Sequence, residues 1–238
     1  MSDCIFLKSD LYNIKNIIDL VENKKDVNTV DSNGNTYLHW AVFRNLYDLA
    51  KLLLDCGANP NITDCESRHA FHWALSPYAN PEIKIIKLLL DYGANIHVHN
   101  SVRKTPLFLA AEECYPDILE LILKQYRLID WSLHITYGGN HPLHWPSFNG
   151  RCDVVKLLLD YGADPNSINR EQETPLHSAC YGNRIEIAKL LIEYGANVNA
   201  KDRDGETPLQ AITISKQNKN NKIPLAKLLI ANGANFYI

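Results

Sequence analysis

Thr174-Pro175-Leu176-His177 recurs along this chain in recognisable variants at intervals of 33 or 36 residues. The copies are Thr36-Tyr37-Leu38-His39, His69-Ala70-Phe71-His72, Thr105-Pro106-Leu107-Phe108, His141-Pro142-Leu143-His144 and Thr207-Pro208-Leu209-Gln210. A period this long marks one supersecondary unit, copied and stacked so that each copy buries its apolar face on its neighbours. Counted from the residue that opens each turn, the units are 31–63, 64–99, 100–135, 136–168, 169–201 and 202–238.

Each unit reads as turn, short helix, turn, longer helix. The Thr is a natural N-cap, its side-chain oxygen free to accept an orphan backbone N–H. Pro follows at the first helical position, where it has no hydrogen bond to lose. Ala41, Ala74, Ala110 and Ala179 then let neighbouring inner helices approach closely. The longer helix carries an apolar triplet in every unit, such as Leu52-Leu53-Leu54, Leu157-Leu158-Leu159 and Leu190-Leu191-Ile192. With an Ile or Val three or four residues earlier, the triplet marks a core-facing stripe. Gly57, Gly93, Gly162, Gly195 and Gly233 end these helices, and Asn33-Gly34 and Asp204-Gly205 are turn dipeptides.

The 33-residue period with Thr-Pro-Leu-His-x-Ala resembles the ankyrin repeat. The resemblance covers residues 31–238 and implies an all-α fold, an ankyrin-repeat solenoid of stacked helix-turn-helix units joined by β-hairpin-like loops. Residues 1–30 lack the Thr-Pro-Leu-His run. Their helical pattern at Leu11, Ile14, Ile17, Ile18 and Val21 reads as a degenerate N-terminal capping repeat.

Departures from the repeat carry their own expectations. Unit 64–99 gains residues in Ser76-Pro77-Tyr78-Ala79-Asn80-Pro81, and Pro81 is expected to open the second helix. Unit 100–135 loses its Gly-Ala-Asn tail, leaving Trp131 open between packing and anchoring. Pro146 is expected to kink the inner helix of unit 136–168. Those last two features weaken one junction, so units from 136 onward are expected to melt separately from 31–123. Ser215 to Lys222 is a polar run expected to form a loop.

Composition excludes several classes. Hydrophobic residues are 46% and charged residues 21%, which fits a globular chain. A net charge of −3 with dispersed basic residues argues against nucleic acid or an anionic membrane as partner. No apolar run reaches the length of a membrane span, and no signal peptide is recognisable. The six cysteines form no Cys-x-x-Cys and read as reduced thiols. His39, His72, His144 and His177 occupy the repeat's own His position, and His69 and His141 the cap position, so neither pair at His69/His72 or His141/His144 reads as a metal site. No phosphate-binding loop or nucleophile motif appears, and neither an enzyme nor a cofactor is expected.

The family resemblance implies a non-enzymatic protein–protein interaction scaffold acting as adaptor, inhibitor or host-directed effector. It implies that an unidentified protein is held in a concave groove lined by turn tips and inner helices. Carried over by position, that surface comprises Phe43, Arg44, Tyr78, Glu112, Glu113, Phe148, Asn149, Tyr181, Arg170 and Arg203. Phe43, Phe148 and Tyr181 are aromatic where the family leaves the slot free, and aromatic anchors dominate interface energetics. Trp40, Trp73 and Trp145 follow the repeat's His, a slot read as packing. Two other functions remain open. Family members are substrates of an asparaginyl hydroxylase at positions matching Asn61, Asn166 and Asn199, and a DNA-associated regulator would need basic tips that are not seen. A monomer is expected, cytoplasmic or delivered to a host cytosol if the source is an intracellular microbe or virus.

Overall fold

The computed structural model describes residues 26–126, 128–214 and 222–235. The expected cap over 1–30, apart from its last residues, and most of the polar loop after Thr213 lie outside the described residues. Two compact units divide the chain between Asn95 and Ile96.

The first unit holds α1 (Tyr37–Phe43), α2 (Tyr47–Asp55), α3 (Ala70–Ala74) and α4 (Ile83–Asp91). Inner helix α1 packs on α3, and outer helix α2 on α4. The second holds α5 (Pro106–Glu112), α6 (Pro116–Gln125), a 3-10 turn (Trp131–Leu133), α7 (His144–Asn149), α8 (Cys152–Asp160), α9 (Pro175–Tyr181), α10 (Ile185–Glu193), α11 (Pro208–Ile214) and α12 (Ile223–Ala231). Here α5, α7, α9 and α11 pack in succession as one layer, and α6, α8, α10 and α12 as the other. No strand forms among the described residues, so the fold is all-α.

The turn tips are instead closed by single residues. Asp31 Oδ1 accepts from the N–H of Asn33 at 2.7 Å and Asn35 at 3.0 Å. Asp64, Asn100, Asn169 and Asp202 repeat the pattern with the N–H groups two and four residues on. Within the first unit one tip leans on the next through Cys65 N–H to the Asn33 carbonyl, 2.8 Å. Within the second, Arg170 N–H donates to the Gly138 carbonyl at 3.0 Å and Arg203 N–H to the Glu171 carbonyl at 2.8 Å.

The repeat's Thr and His form the expected cap. Thr36 Oγ1 accepts from His39 N–H, and Thr36 N–H donates to His39 Nδ1 at 3.0 Å. That leaves the ring proton on Nε2, which donates to the Arg68 carbonyl of the following repeat at 3.1 Å. His177 does the same toward Glu206 at 3.2 Å, and His144 toward Glu173 at 3.1 Å. One side chain thus caps its own helix and ties it to its neighbour, each bond contributing about 1 kcal/mol. His69 takes over the Thr role, accepting from Phe71 N–H at 3.2 Å. His141 does not, since α7 opens at Leu143 with no side-chain cap.

The outer-helix core is narrower than the triplets suggest. Their middle members Leu53, Leu89, Ile122, Leu158, Leu191 and Leu229 are fully buried, whereas Leu52 and Ile230 are exposed. The Asn four residues after Gly57, Gly162 and Gly195 also spans repeats: Asn61 Nδ2 donates to the Gly93 carbonyl and Asn61 Oδ1 accepts from Asn95 N–H. Asn166 bonds Gly195 and Asn197, and Asn199 bonds Gly233 and Asn235, in the same way.

Two proline expectations are corrected. Pro146 kinks nothing: α7 begins at His144, so Pro146 stands in the first turn, where an N–H would have no intrahelical partner. Pro81 does not open α4, whose N-cap is Glu82. The inserted loop is instead held by Asn45, whose Nδ2 donates to the Ala79 and Asn80 carbonyls at 2.7 Å and whose Oδ1 accepts from Glu82 N–H at 3.2 Å. The junction at 124–146 lies inside the second unit. Unit 100–135 has Phe108 in place of the repeat's His, and His134 compensates. It is fully buried, its Nδ1 2.7 Å from Thr105 Oγ1. His99 Nε2 lies 2.7 Å from the Leu133 carbonyl beside it. Trp131 is half-buried and edge-on to His134, which makes it a packing residue.

Candidate protein-binding surface

In the second unit, α7 presents Trp145 and Phe148 three residues apart, and α9 presents Tyr181. The Trp145 and Phe148 rings meet edge-to-face with centroids 6.3 Å apart. Together with Tyr181 they line an open cleft of about 240 Å³ whose tip-side wall is Asn140, Asn169 and Glu173. Ser178, the residue after His177, also lines it. That slot holds Trp in the units that contain His39, His72 and His144. A small residue there leaves Trp145 without an aromatic neighbour across the repeat, and 40% exposed. The expectation that Trp145 is a packing residue is therefore not met.

The cleft's polar wall is tied together. Asn169 Nδ2 donates to Glu173 Oε2 at 2.8 Å and lies 3.2 Å from Asn140 Oδ1. The Tyr181 hydroxyl also bonds the Glu173 carboxylate. Burial raises the phenol's pKa, and the charges of Glu173, Asp202 and Glu206 raise it further, so it stays a donor. Among the described residues Glu173 forms no ion pair.

The two helices of the cleft are set by one close approach. A Cβ on Gly182 would lie 2.2 Å from the Phe148 carbonyl oxygen, which also accepts from Arg184 Nε at 2.9 Å. The Phe148 carbonyl is backbone and cannot turn aside as a side chain could, so Gly182→Ala must push α9 away from α7. Overpacking of this kind costs about 1–3 kcal/mol. Urea denaturation of G182A should show a lowered midpoint, and an unchanged midpoint would mean that the approach is not this close.

The remaining residues expected on the surface are scattered. Asn149 and Arg170 are exposed, and Arg203 pairs with Glu171 at 3.3 Å. Glu112 is half-buried against Lys104. Glu113 is half-buried, its carboxyl pushed up by burial and by Glu112. In the first unit, Phe43 packs rather than projects. Its ring is edge-on to Trp40 at 6.3 Å and Trp73 at 5.6 Å, and the two indoles lie 4.8 Å apart. Trp73 Nε1 donates to Asp64 Oδ2 at 2.9 Å, and the Arg68 guanidinium sits 5.1 Å from the Trp73 ring. Arg44 is exposed, and Tyr78 stands 88% exposed on the inserted loop.

Models of ankyrin repeats match residues 33–65, 71–169 and 158–211. The chain belongs to the ankyrin-repeat family. It is 29% identical over 163 residues to the ankyrin repeat protein L371 of Acanthamoeba polyphaga mimivirus, covering 68% of this chain and 19% of that one. It is 30% identical over 147 residues to the human neurogenic locus notch homolog protein 1, covering 62% of this chain and 6% of that one. The chain therefore spans less than a fifth of these relatives. Among solved structures, the ankyrin repeat domain of Bcl-3, a member of the IkappaB protein family, superposes with a TM-score of 0.75 at 23% identity, over 91% of each chain. That of human ASB11 gives 0.70 at 24% identity over 86% of each. At that identity the likeness is one of fold.

Among the described residues no helix is long and apolar enough to cross a membrane. No group of three or more His, Cys, Asp or Glu is placed there to hold a metal.

Proposed function

We propose that this protein is a non-enzymatic interaction scaffold that holds a partner protein against the tips and inner helices of its second unit. Ankyrin repeats generally serve protein–protein interaction, and the mimivirus relative is consistent with a role as a viral, host-directed effector acting in a cytosol. The observation that carries the reading is the Trp145–Phe148–Tyr181 cleft. In the first unit the equivalent Phe43 packs against Trp40 and Trp73, whereas an aromatic cluster left open beside satisfied polar groups is the composition of an interface centre.

A photo-crosslinking residue placed at Asn149, beside the cleft, tests this. In native-source extract it should trap a discrete protein, and Trp145→Ala should abolish the adduct without lowering the melting temperature. The same residue at Lys189, exposed on α10, should trap nothing specific. Equal labelling from both positions, or insensitivity to W145A, would overturn the reading.

A further inference from the structure

We propose that the cleft takes a cationic side chain, an arginine or lysine from a basic segment of the partner. This rests on the scaffold reading above and names the chemistry of what it holds. Three observations support it together: the shape of the cleft, the order of its walls, and the charge around it.

The volume of about 240 Å³ is below the roughly 300–1,000 Å³ of pockets for drug-sized ligands, and suits one long side chain. The walls change character along its length. Trp145, Phe148 and Tyr181 offer aromatic surface on the helix side, and Glu173 with Asn140 and Asn169 offers acceptors on the tip side. An apolar stem ending in a charge matches that order, since Arg and Lys bury their methylenes along apolar surface and keep the head among polar groups. Aromatic faces attract such a head, and Trp is the strongest of them.

Charge points the same way. The two tips that flank Tyr181, residues 169–174 and 202–207, carry the carboxylates Glu171, Glu173, Asp202, Asp204 and Glu206 against only Arg170 and Arg203. Arg203 is already engaged with Glu171. Glu173 is held in place by Asn169 and Tyr181, which orient the carboxylate without neutralising it. An anionic ligand would be repelled by that carboxylate, and a purely aliphatic one would bury it with its two hydrogen bonds but without a countercharge. The first unit shows what a filled arrangement looks like: there Arg68 of the chain itself lies over Trp73 and pairs with Asp64 at 2.8 Å. Among the described residues the cleft has the aromatic and the carboxylate and no such internal cation.

The test uses the full chain with three synthetic peptides, Gly-Ser segments carrying one central arginine, lysine or glutamine. The readout is the indole N–H resonance of Trp145, assigned by its loss in Trp145→Phe. Arginine and lysine peptides should shift it in a saturable, salt-sensitive way, and the glutamine peptide should bind at least tenfold more weakly. Glu173→Gln keeps an acceptor for Asn169 and Tyr181, so it should leave the melting temperature in place and weaken the arginine peptide at least tenfold. Equal binding of the glutamine peptide, no saturable shift with either cationic peptide, or an E173Q protein that binds the arginine peptide normally, would each overturn the proposal. Specific crosslinking at Asn149 together with any of those results would overturn the cation assignment alone. Loss of the Asn149 adduct would overturn the scaffold reading whatever the peptides do.

Discussion

Between pH 7.5 and pH 5 this protein should lose on the order of 6 kcal/mol of stability. Three buried imidazoles carry the effect. Burial pushes His69 and His134 down to about 3, and His144 down to about 4. Neighbouring histidines add to the lowering: His72 and His39 around His69, His97 and His99 around His134. A histidine in the unfolded chain titrates near 6.5. Below that pH the unfolded state binds protons that the fold refuses, so stability is fully present above about 6.5 and falls as pH drops toward the folded values. At pH 5 each group is about 1.5 units below its unfolded pKa, which is about 2 kcal/mol. Whole domains are stable by about 5–15 kcal/mol, so unfolding in mild acid is within reach.

Urea midpoints at the two pH values measure this directly, and equal midpoints would refute it. The chain supplies its own control substitution. In the last repeat the His slot is Gln210, whose Oε1 accepts from Thr207 N–H at 2.7 Å, the bond that Nδ1 accepts elsewhere. His144→Gln should therefore keep the bond from His141 N–H, lose the bond to Glu173 at a cost of about 1 kcal/mol at pH 7.5, and show a smaller loss on acidification.

The same slot shows what the sequence reveals and what it hides. A Thr followed three residues later by His predicts a cap, because both partners lie within one helical turn. The middle Leu of each triplet is legible for the same reason, as a local period with a fixed face. His134 is not legible. It belongs to no motif, and its partner Thr105 is 29 residues away. Only the absence of a His at Phe108 hinted that something else must satisfy that hydroxyl. Asn45 is hidden likewise, since its clamp on the inserted loop depends on where residues 79–82 happen to fold. The proposed binding surface is half legible. Phe43, Phe148 and Tyr181 occupy equivalent positions, yet Phe43 is packed by Trp40 and Trp73 while the other two line an open cleft. The difference lies one residue past the His, in Trp73 of one pair of repeats and Ser178 of the other. A comparison of each slot with its neighbour one repeat on, rather than with the motif, would have found it.

Leu158→Ala and Leu191→Ala should each cost about 2–5 kcal/mol. Both side chains are fully buried, on α8 and α10, which pack side by side in the second unit. Truncation removes methyl groups from a close-packed interior that cannot collapse onto the space, because each helix is held at both ends. The inner-helix end is fixed by backbone bonds such as Arg184 N–H to the Ala179 carbonyl at 2.8 Å. The tail end is fixed by Ala163 N–H to the Leu158 carbonyl at 3.0 Å, Ala196 N–H to the Leu191 carbonyl at 2.9 Å, and the Asn166 bridge between the two tails. A cavity held open this way costs toward the upper end of the range. Lys189→Ala, two residues from Leu191 but exposed, should change stability by no more than about 0.5 kcal/mol. Because stability in a repeat stack resides in the contact between neighbours, the double mutant should fall short of the sum of the singles by 0.5 kcal/mol or more. Equilibrium urea unfolding of the four proteins closes the cycle. Leucine variants that unfold at the Lys189→Ala midpoint would mean that the outer-helix register is wrong, and strict additivity would mean that Leu158 and Leu191 do not share one core.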